Sequence, residues 1–217
     1  MLGQLLEFSL HAPDTGASFD HYRRLGFAAA TAGDIWPHAY GVMCCGGLAL
    51  GLHGVAARPL TLTFVQPDVA RLHRELESMG IAASAVLGSD AFNQLELTDP
   101  AGTALRVLEA RSFSAPADLP ASTLLGTFRR LSLPAARPAG VEAFWRRLGM
   151  SGAWPLAWHR PEEHAGPVLL FRHPDPASAA DRLEARGFEL EERPLPMGAG
   201  GALQLRSPED LLALALA

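Results

Sequence analysis

"FDHYRRLGF", residues 19–27, reads as the last turns of an amphipathic helix that stops at Gly26 and runs on into a strand. The chain writes the same ending again as "FWRRLGM" at residues 144–150. A helix stop that recurs at this distance marks a chain assembled from repeated units, and the neighbouring segments repeat with it.

Ahead of the first stop, "LLEFSLHA" (5–12) alternates Leu6, Phe8 and Leu10 with Glu7, Ser9 and His11, the two-residue period of a half-buried strand. The helix after it starts in the Asp14–Ser18 region. Three short strands come next, around 28–33, in "YGVMCCG" and in "LALGLHG", with Gly46-Gly47 as the hairpin turn between the last two. The pattern then restarts. "LTLTFV" is a strand, "PDVARLHRELESMG" a helix capped by Asp68 and closed by Gly80, and "IAASAVL", "FNQLELT" and "ALRVLEA" are strands, the last two joined by the turn "DPAG" at 99–102. Residues 112–124 lack periodicity and carry two prolines, as a linker does.

After the linker the cycle runs again from "TFRRLSLPA" and "GVEAFWRRLGM". "FVQPDVARLHRELESMGI" returns as "FRHPDPASAADRLEARGF" at 171–188, and the closing "LELTDPAGTALRVLEA" returns as "LQLRSPEDLLALALA". The expected fold is therefore α+β, with four tandem βαβββ modules arranged as two domains, 1–111 and 125–217. The second is shortened: its counterpart of the stretch from Gly26 to Asp68 lacks the room for "YGVMCCG" and "LALGLHG", so one hairpin is expected to be missing.

Hydrophobic residues make up 48% of the 217-residue chain and charged residues 19%, a composition that suits a packed core rather than disorder. The formal net charge of −5, with both signs interspersed, gives no basic footprint for nucleic acid. Glu7 breaks the first apolar run, no basic segment precedes it, and no run approaches the ~18 apolar residues of a membrane span, so neither a signal peptide nor a membrane partner is expected. Cys44 and Cys45 are neighbours on a strand and point to opposite faces. They read as small core residues in a reducing cytoplasm. A small-molecule ligand is the expected partner, and a homodimer is left open.

Paired βαβββ modules of this length, opening on a strand and "FDHYRRLGF", restarting at "FVQPDVARLHRELESMG" and ending on "LTDPAGTALRVLEA", resemble the vicinal oxygen chelate superfamily. That superfamily includes glyoxalase I, extradiol dioxygenases and the fosfomycin- and bleomycin-resistance proteins. The resemblance implies two glyoxalase-like domains whose strands curl into cups. In the metal enzymes of the family, His or Glu from the first, fourth, fifth and eighth strands chelates a divalent ion. Here those positions fall on Glu7, on Ala49 or Gly51, on Thr61 and on Arg106, and in the second domain on Arg130, Val168 and Leu214 among others. Of the first set Glu7 alone is a good ligand, and an arginine repels a cation. No metal in the family's place and no cofactor are expected.

Strand alternation turns Glu7, Ser9 and His11 into the first cup, together with Ala49, Gly51 and His53, Thr61 and Thr63, Gln94 and Glu96, and Arg106. Trp36, His38, Tyr40 and Met43 border its mouth. The candidate ligand-binding residues are Glu7, Ser9, His11, Trp36, Tyr40, His53, Thr61, Gln94, Glu96 and Arg106. Glu7 and His11 are the candidates for acid–base chemistry, and Glu7, His11 and His53 for a relocated metal in an alternative reading as a lyase, isomerase or dioxygenase. Glu7 and Arg106 are expected to converge and neutralise one another. "HRPEEH" at 159–164 reads as a solvated loop around Pro161. Ser9 and His11 lie about 7 Å apart on one strand, too far for a direct nucleophile–base pair. "MGAGG" at 197–201 lacks the βαβ surroundings of a dinucleotide site.

Overall fold

The computed structural model describes residues 1–31, 36–55, 58–88, 93–110, 119–150, 154–190 and 203–216. Most of the linker (112–118), Phe92 and the "MGAGG" stretch lie outside the described residues.

The first half forms one eight-stranded sheet. Its strands are β1 (Gln4–His11), β2 (Ala28–Ala30), β3 (Tyr40–Cys45), β4 (Leu48–His53), β5 (Leu60–Gln66), β6 (Ser84–Val86), β7 (Gln94–Thr98) and β8 (Ala104–Glu109), in the order β2-β3-β4-β1-β5-β8-β7-β6. Each module contributes the same four-strand pattern. The first strand pairs parallel with the fourth, β1 with β4 and β5 with β8. The modules meet where β1 and β5 run antiparallel. The helices α1 (Thr15–Leu25) and α2 (Val69–Ser78) come directly after the first strand of each module.

Local chemistry sets these elements. The Asp14 and Asp68 carboxylates accept the backbone N–H groups of Ala17 and Arg71, satisfying donors that a helix start leaves open. Gly26 ends α1 in the left-handed conformation (φ 97°), where its N–H reaches back to the Arg23 carbonyl and where a side chain would be strained. The "FDHYRRLGF" signature is thus a stop written in backbone geometry.

In the second half the wiring recurs with pieces removed. The strands β9 (Thr127–Pro134), β10 (Leu156–His159), β11 (Val168–Arg172), β12 (Leu203–Arg206) and β13 (Leu212–Leu216) form a sheet in the order β10-β9-β11-β13-β12, with helices α3 (Pro138–Arg147) and α4 (Pro176–Glu184). β10 runs parallel to β9 as β4 does to β1. It is therefore the counterpart of "LALGLHG", which the sequence suggests is lost. Among the described residues, the strands without a counterpart are β2, β3 and β6. Length alone cannot show which strand of a module has gone, because the surviving strand shares little more than its terminal histidine with β4.

Both opening strands carry a bulge at matching positions. The β1–β5 register shifts between Leu5 and Glu7, and the β9–β11 register shifts around Arg129, between the pairs Leu170–Arg130 and Phe171–Phe128. An extra residue re-aims the side chains around it. Leu5 consequently packs on the core in place of Leu6, which the alternation assigned there.

One apolar core spans both sheets. Phe8, Phe128 and Phe171 meet edge to face, with ring centroids 6.3 and 5.7 Å apart, and Phe64 stacks on Trp154 at 5.0 Å. Such pairs add roughly 0.5–1.5 kcal/mol each beyond their buried area. Polar ties join the halves as well: the Trp145 indole N–H donates to the Asp99 carboxylate at 3.0 Å, and the Tyr22 hydroxyl to Glu209 at 2.9 Å. Among the described residues no helix is long and apolar enough to cross a membrane.

Candidate functional site

With Phe8 and Leu10 turned to the core, the opposite face of β1 presents Glu7 and Ser9 beside Gly51 and His53 of β4 and Thr61 and Thr63 of β5. Glu7 is 2% exposed, and a carboxylate so deep requires donors on every side. It has three. Ser9 donates to Oε1 at 2.6 Å, His53 Nε2 donates to the same oxygen at 2.9 Å, and the Tyr40 hydroxyl donates to Oε2 at 2.6 Å. Ser9 also meets the Thr63 hydroxyl at 2.7 Å. His53 extends the chain outward, its Nδ1 lying 3.0 Å from Nε2 of His38.

Gly51 belongs to this network through what it lacks. A Cβ built there would overlap the Glu7 carboxyl group, so the carboxylate occupies the space of a side chain. Burial, with the neighbouring Glu7 charge behind it, pushes the Tyr40 phenol well above its ordinary range and keeps it a donor. Burial lowers the pKa of His38, with smaller contributions from His53 and Arg106, and so favours its neutral form.

Above the network lies a cavity of about 600 Å³, lined by Ser9, His11, Trp36, His38, His53, Arg58, Thr61, Ser84, Glu96 and Arg106 among others. Trp36 packs edge-on against His53 with centroids 5.4 Å apart, and the Arg106 guanidinium sits 5.4 Å from its ring centroid. Trp36 thus covers the cup.

Arg106 does not pair with Glu7. Its Nε and Nη2 engage Glu96 Oε1 at 2.9 and 2.8 Å. The two residues stand directly opposite on β7 and β8, whereas Glu7 accepts three hydrogen bonds from Ser9, Tyr40 and His53. Of the candidates, Glu7, Tyr40 and Gln94 do not line the cavity; Glu7 lies behind it, and Tyr40 bonds to Glu7 there. Met43 is buried in the core and away from the mouth, because three residues along a strand from Tyr40 lead to the opposite face. His38, Arg58, Ser84 and Thr98 are the polar lining residues that the candidate set lacks. The spacing of Trp36, His38 and Tyr40, two residues apart each time, was the signal for His38.

The family's divalent ion does not fit these residues. Glu7 already accepts three hydrogen bonds, Gly51 offers no ligand atom, Thr61 is a weak one, and Arg106 brings a positive charge to the same face. Among the described residues no group of three or more His, Cys, Asp or Glu is arranged to hold a metal.

The second half keeps a fragment of the arrangement. Register places Ser132, Ala157 and His159 where the first half has Ser9, Gly51 and His53, and Arg130, which is exposed, where it has Glu7. The Ser132 hydroxyl lies 2.8 Å from His159 Nδ1, and His159 Nε2 donates to the His164 carbonyl at 2.9 Å. His159 is therefore a strand residue, although "HRPEEH" reads as a loop.

No family model matches the chain, and no curated protein does. Solved structures do. A catechol 2,3-dioxygenase superposes with a TM-score of 0.61 at 14% identity, covering 97% of this chain and 86% of its own. The 2,2',3-trihydroxybiphenyl 1,2-dioxygenase of Sphingomonas wittichii strain RW1 gives 0.64 at 11% identity, covering 99% and 90%. The 2,3-dioxygenase LapB of Pseudomonas sp. KL28 gives 0.64 at 10% identity, covering 99% and 93%. Identity this low speaks for architecture and not for chemistry. In strand order, module repeat and superposition, the chain has the two-domain fold of the vicinal oxygen chelate superfamily.

Proposed function

We propose that the first-half cup binds a small, partly apolar organic molecule without the family's metal. The observation that carries this reading is the cavity of about 600 Å³, which combines an aromatic wall at Trp36 with converging polar groups from His38, His53, Glu96 and Arg106. A concave, mostly apolar space with a few oriented polar groups is what recognition of a small molecule requires. The structural neighbours act on catechols and hydroxylated biphenyls by their names, so catechol is the first probe. Titration of the protein with catechol and 2,3-dihydroxybiphenyl, monitored by NMR of the Trp36 indole and the His38 ring, should give saturable shifts. Trp36→Ala should weaken binding about tenfold or more, while Trp154→Phe should leave it unchanged. Failure of both probes and of a wider panel of aromatic alcohols to saturate these signals would refute the reading.

The chain His38–His53–Glu7 favours a second reading, acid–base catalysis. If His53 donates Nε2–H to Glu7, its Nδ1 lone pair accepts Nε2–H from His38. The remaining lone pair of His38 is then free to take a proton from an acidic O–H or activated C–H in the cavity. This moves the role from His11 to His38. Exchange of ligand protons in D2O, lost in His38→Gln and His53→Gln but retained in His11→Gln, would support it.

A further inference from the structure

The second half has an open depression of about 590 Å³ that the cup does not use. It lies between the turn at 123–126, the end of β11 and the start of α4. Ser122, Thr127, Arg172, His173, Ser178 and Arg182 contribute to its walls.

His173 is 7% exposed, and both of its ring nitrogens face donors. The backbone N–H of Asp175 is 3.0 Å from Nδ1, and Arg182 Nη2 is 3.1 Å from Nε2. A backbone N–H and a guanidinium can only donate, and an imidazole in any charge state carries at least one N–H. One of the two contacts therefore sets N–H against N–H. The backbone partner is fixed, because Asp175 caps α4 by accepting the Ser178 N–H at 3.0 Å. Nδ1 takes the lone pair, and Nε2–H is left against Arg182 with no acceptor. Two donors thus converge at one wall of the depression.

The charge around it points the same way. Among the described residues Arg172 and Arg182 make no ion pair with an acid. Asp175, the acid in the lining, accepts the cap N–H through Oδ1, and with two arginines against this one acid the lining remains net positive. The first half fills the corresponding place with an acid of its own, held by a backbone N–H that Pro176 cannot offer here. There the N–H of Val69, at the start of α2, binds the Glu109 carboxylate at 3.0 Å, and Gln66, the counterpart of His173, turns its amide to the Asp68 carbonyl. In the second half β13, the counterpart of the strand carrying Glu109, reads LALAL and supplies no acid.

We propose that this depression binds a phosphate-sized oxyanion, as inorganic phosphate or as the phosphate group of a small ester, with its oxygens accepting from His173 Nε2–H and from the Arg172 and Arg182 guanidiniums. Three donors, with the hydroxyls of Ser122 and Thr127 in the same lining, suit a tetrahedral anion better than a carboxylate with two oxygens.

The test is a titration of the full chain with inorganic phosphate and, separately, phenyl phosphate. Ionic strength is held constant with sodium chloride, and the His173 ring is read by long-range ¹H–¹⁵N NMR. A saturable shift is expected, weakened about tenfold by Arg182→Gln, in line with the loss of one charge-assisted bond. It should weaken further on adding Arg172→Gln. Tighter binding of phosphate assigns the site to the free anion, and tighter binding of phenyl phosphate to an ester. His173→Gln installs the residue that the first half folds with at this position; binding, read from the phosphate-induced rise in melting temperature, should fall with the fold intact. Trp36→Ala should leave phosphate binding unaltered, which separates this site from the cup. A shift that rises linearly without saturating, or equal affinity in the double arginine variant, would overturn the proposal.

Discussion

Replacing Gly51 with alanine adds one methyl group to the middle of a strand, a change that normally stabilises by removing glycine's freedom in the unfolded chain, by about 0.4–1 kcal/mol. Here the opposite is expected. The new Cβ would overlap the Glu7 carboxyl group, which is pinned by Ser9, Tyr40 and His53. To make room, Glu7 must leave its rotamer and loosen hydrogen bonds to a charged acceptor, worth about 1.5–3 kcal/mol each. Partial re-formation in the shifted position brings the expected net cost to about 2–4 kcal/mol. The decisive comparison is the same substitution in a Glu7→Ala background. With no carboxylate to displace, the methyl group enters open space, and the sign reverses to neutral or slightly stabilising. Urea unfolding of all four proteins, with unchanged m-values, gives the coupling energy directly. Equal destabilisation by Gly51→Ala in both backgrounds would show that Glu7 does not occupy that volume, and the network built on it would fall.

Three further outcomes are expected. Trp145→Phe keeps the ring contacts but removes the hydrogen bond to Asp99 between the halves, and should cost about 1–3 kcal/mol in urea unfolding. Burial lowers the pKa of His21 and of His159, so each unfolded imidazole binds protons more readily than its folded form. Stability should be level above about pH 6.5 and decline as pH falls from there toward the lowered values, and His21→Gln should flatten part of that decline in unfolding curves recorded at pH 7.5 and 5.5. Burial raises the Cys44 and Cys45 thiols to about 11, with the Glu7 charge adding to the effect at Cys44. A thiol reagent at pH 8 should therefore label them slowly in the folded protein and rapidly in urea; fast native labelling would contradict their burial.

The repeat was the most legible part of the sequence because helix stops and caps are local. Gly26, Gly149, Asp68 and Asp175 act through their own neighbours, so their meaning survives without a structure. The composition of the cup was partly legible for the same reason: alternation depends on adjacent residues. It led to Ser9, His53, Thr61, Glu96 and Arg106 on one face. Pairing was not legible. Which acid Arg106 meets depends on β7–β8 register, and whether Glu7 needs a cation depends on Ser9, Tyr40 and His53 arriving from three strands. The bulge at Leu6 was hidden too, since the alternation of "LLEFSLH" looks unbroken.

The two halves also record a natural experiment on the bulged opening strand. Both keep the extra residue, yet where one half has Glu7 lying against Gly51 the other has Arg130 and Ala157. The acid and the missing side chain depart together, as they must if one fills the space of the other. Ser132 and His159 stay in place and, with no acid between them, bond to each other. The second half is thus a graft-ready socket: Arg130→Glu with Ala157→Gly would restore an acid, its clearance and two of its donors on a strand already bent to present it.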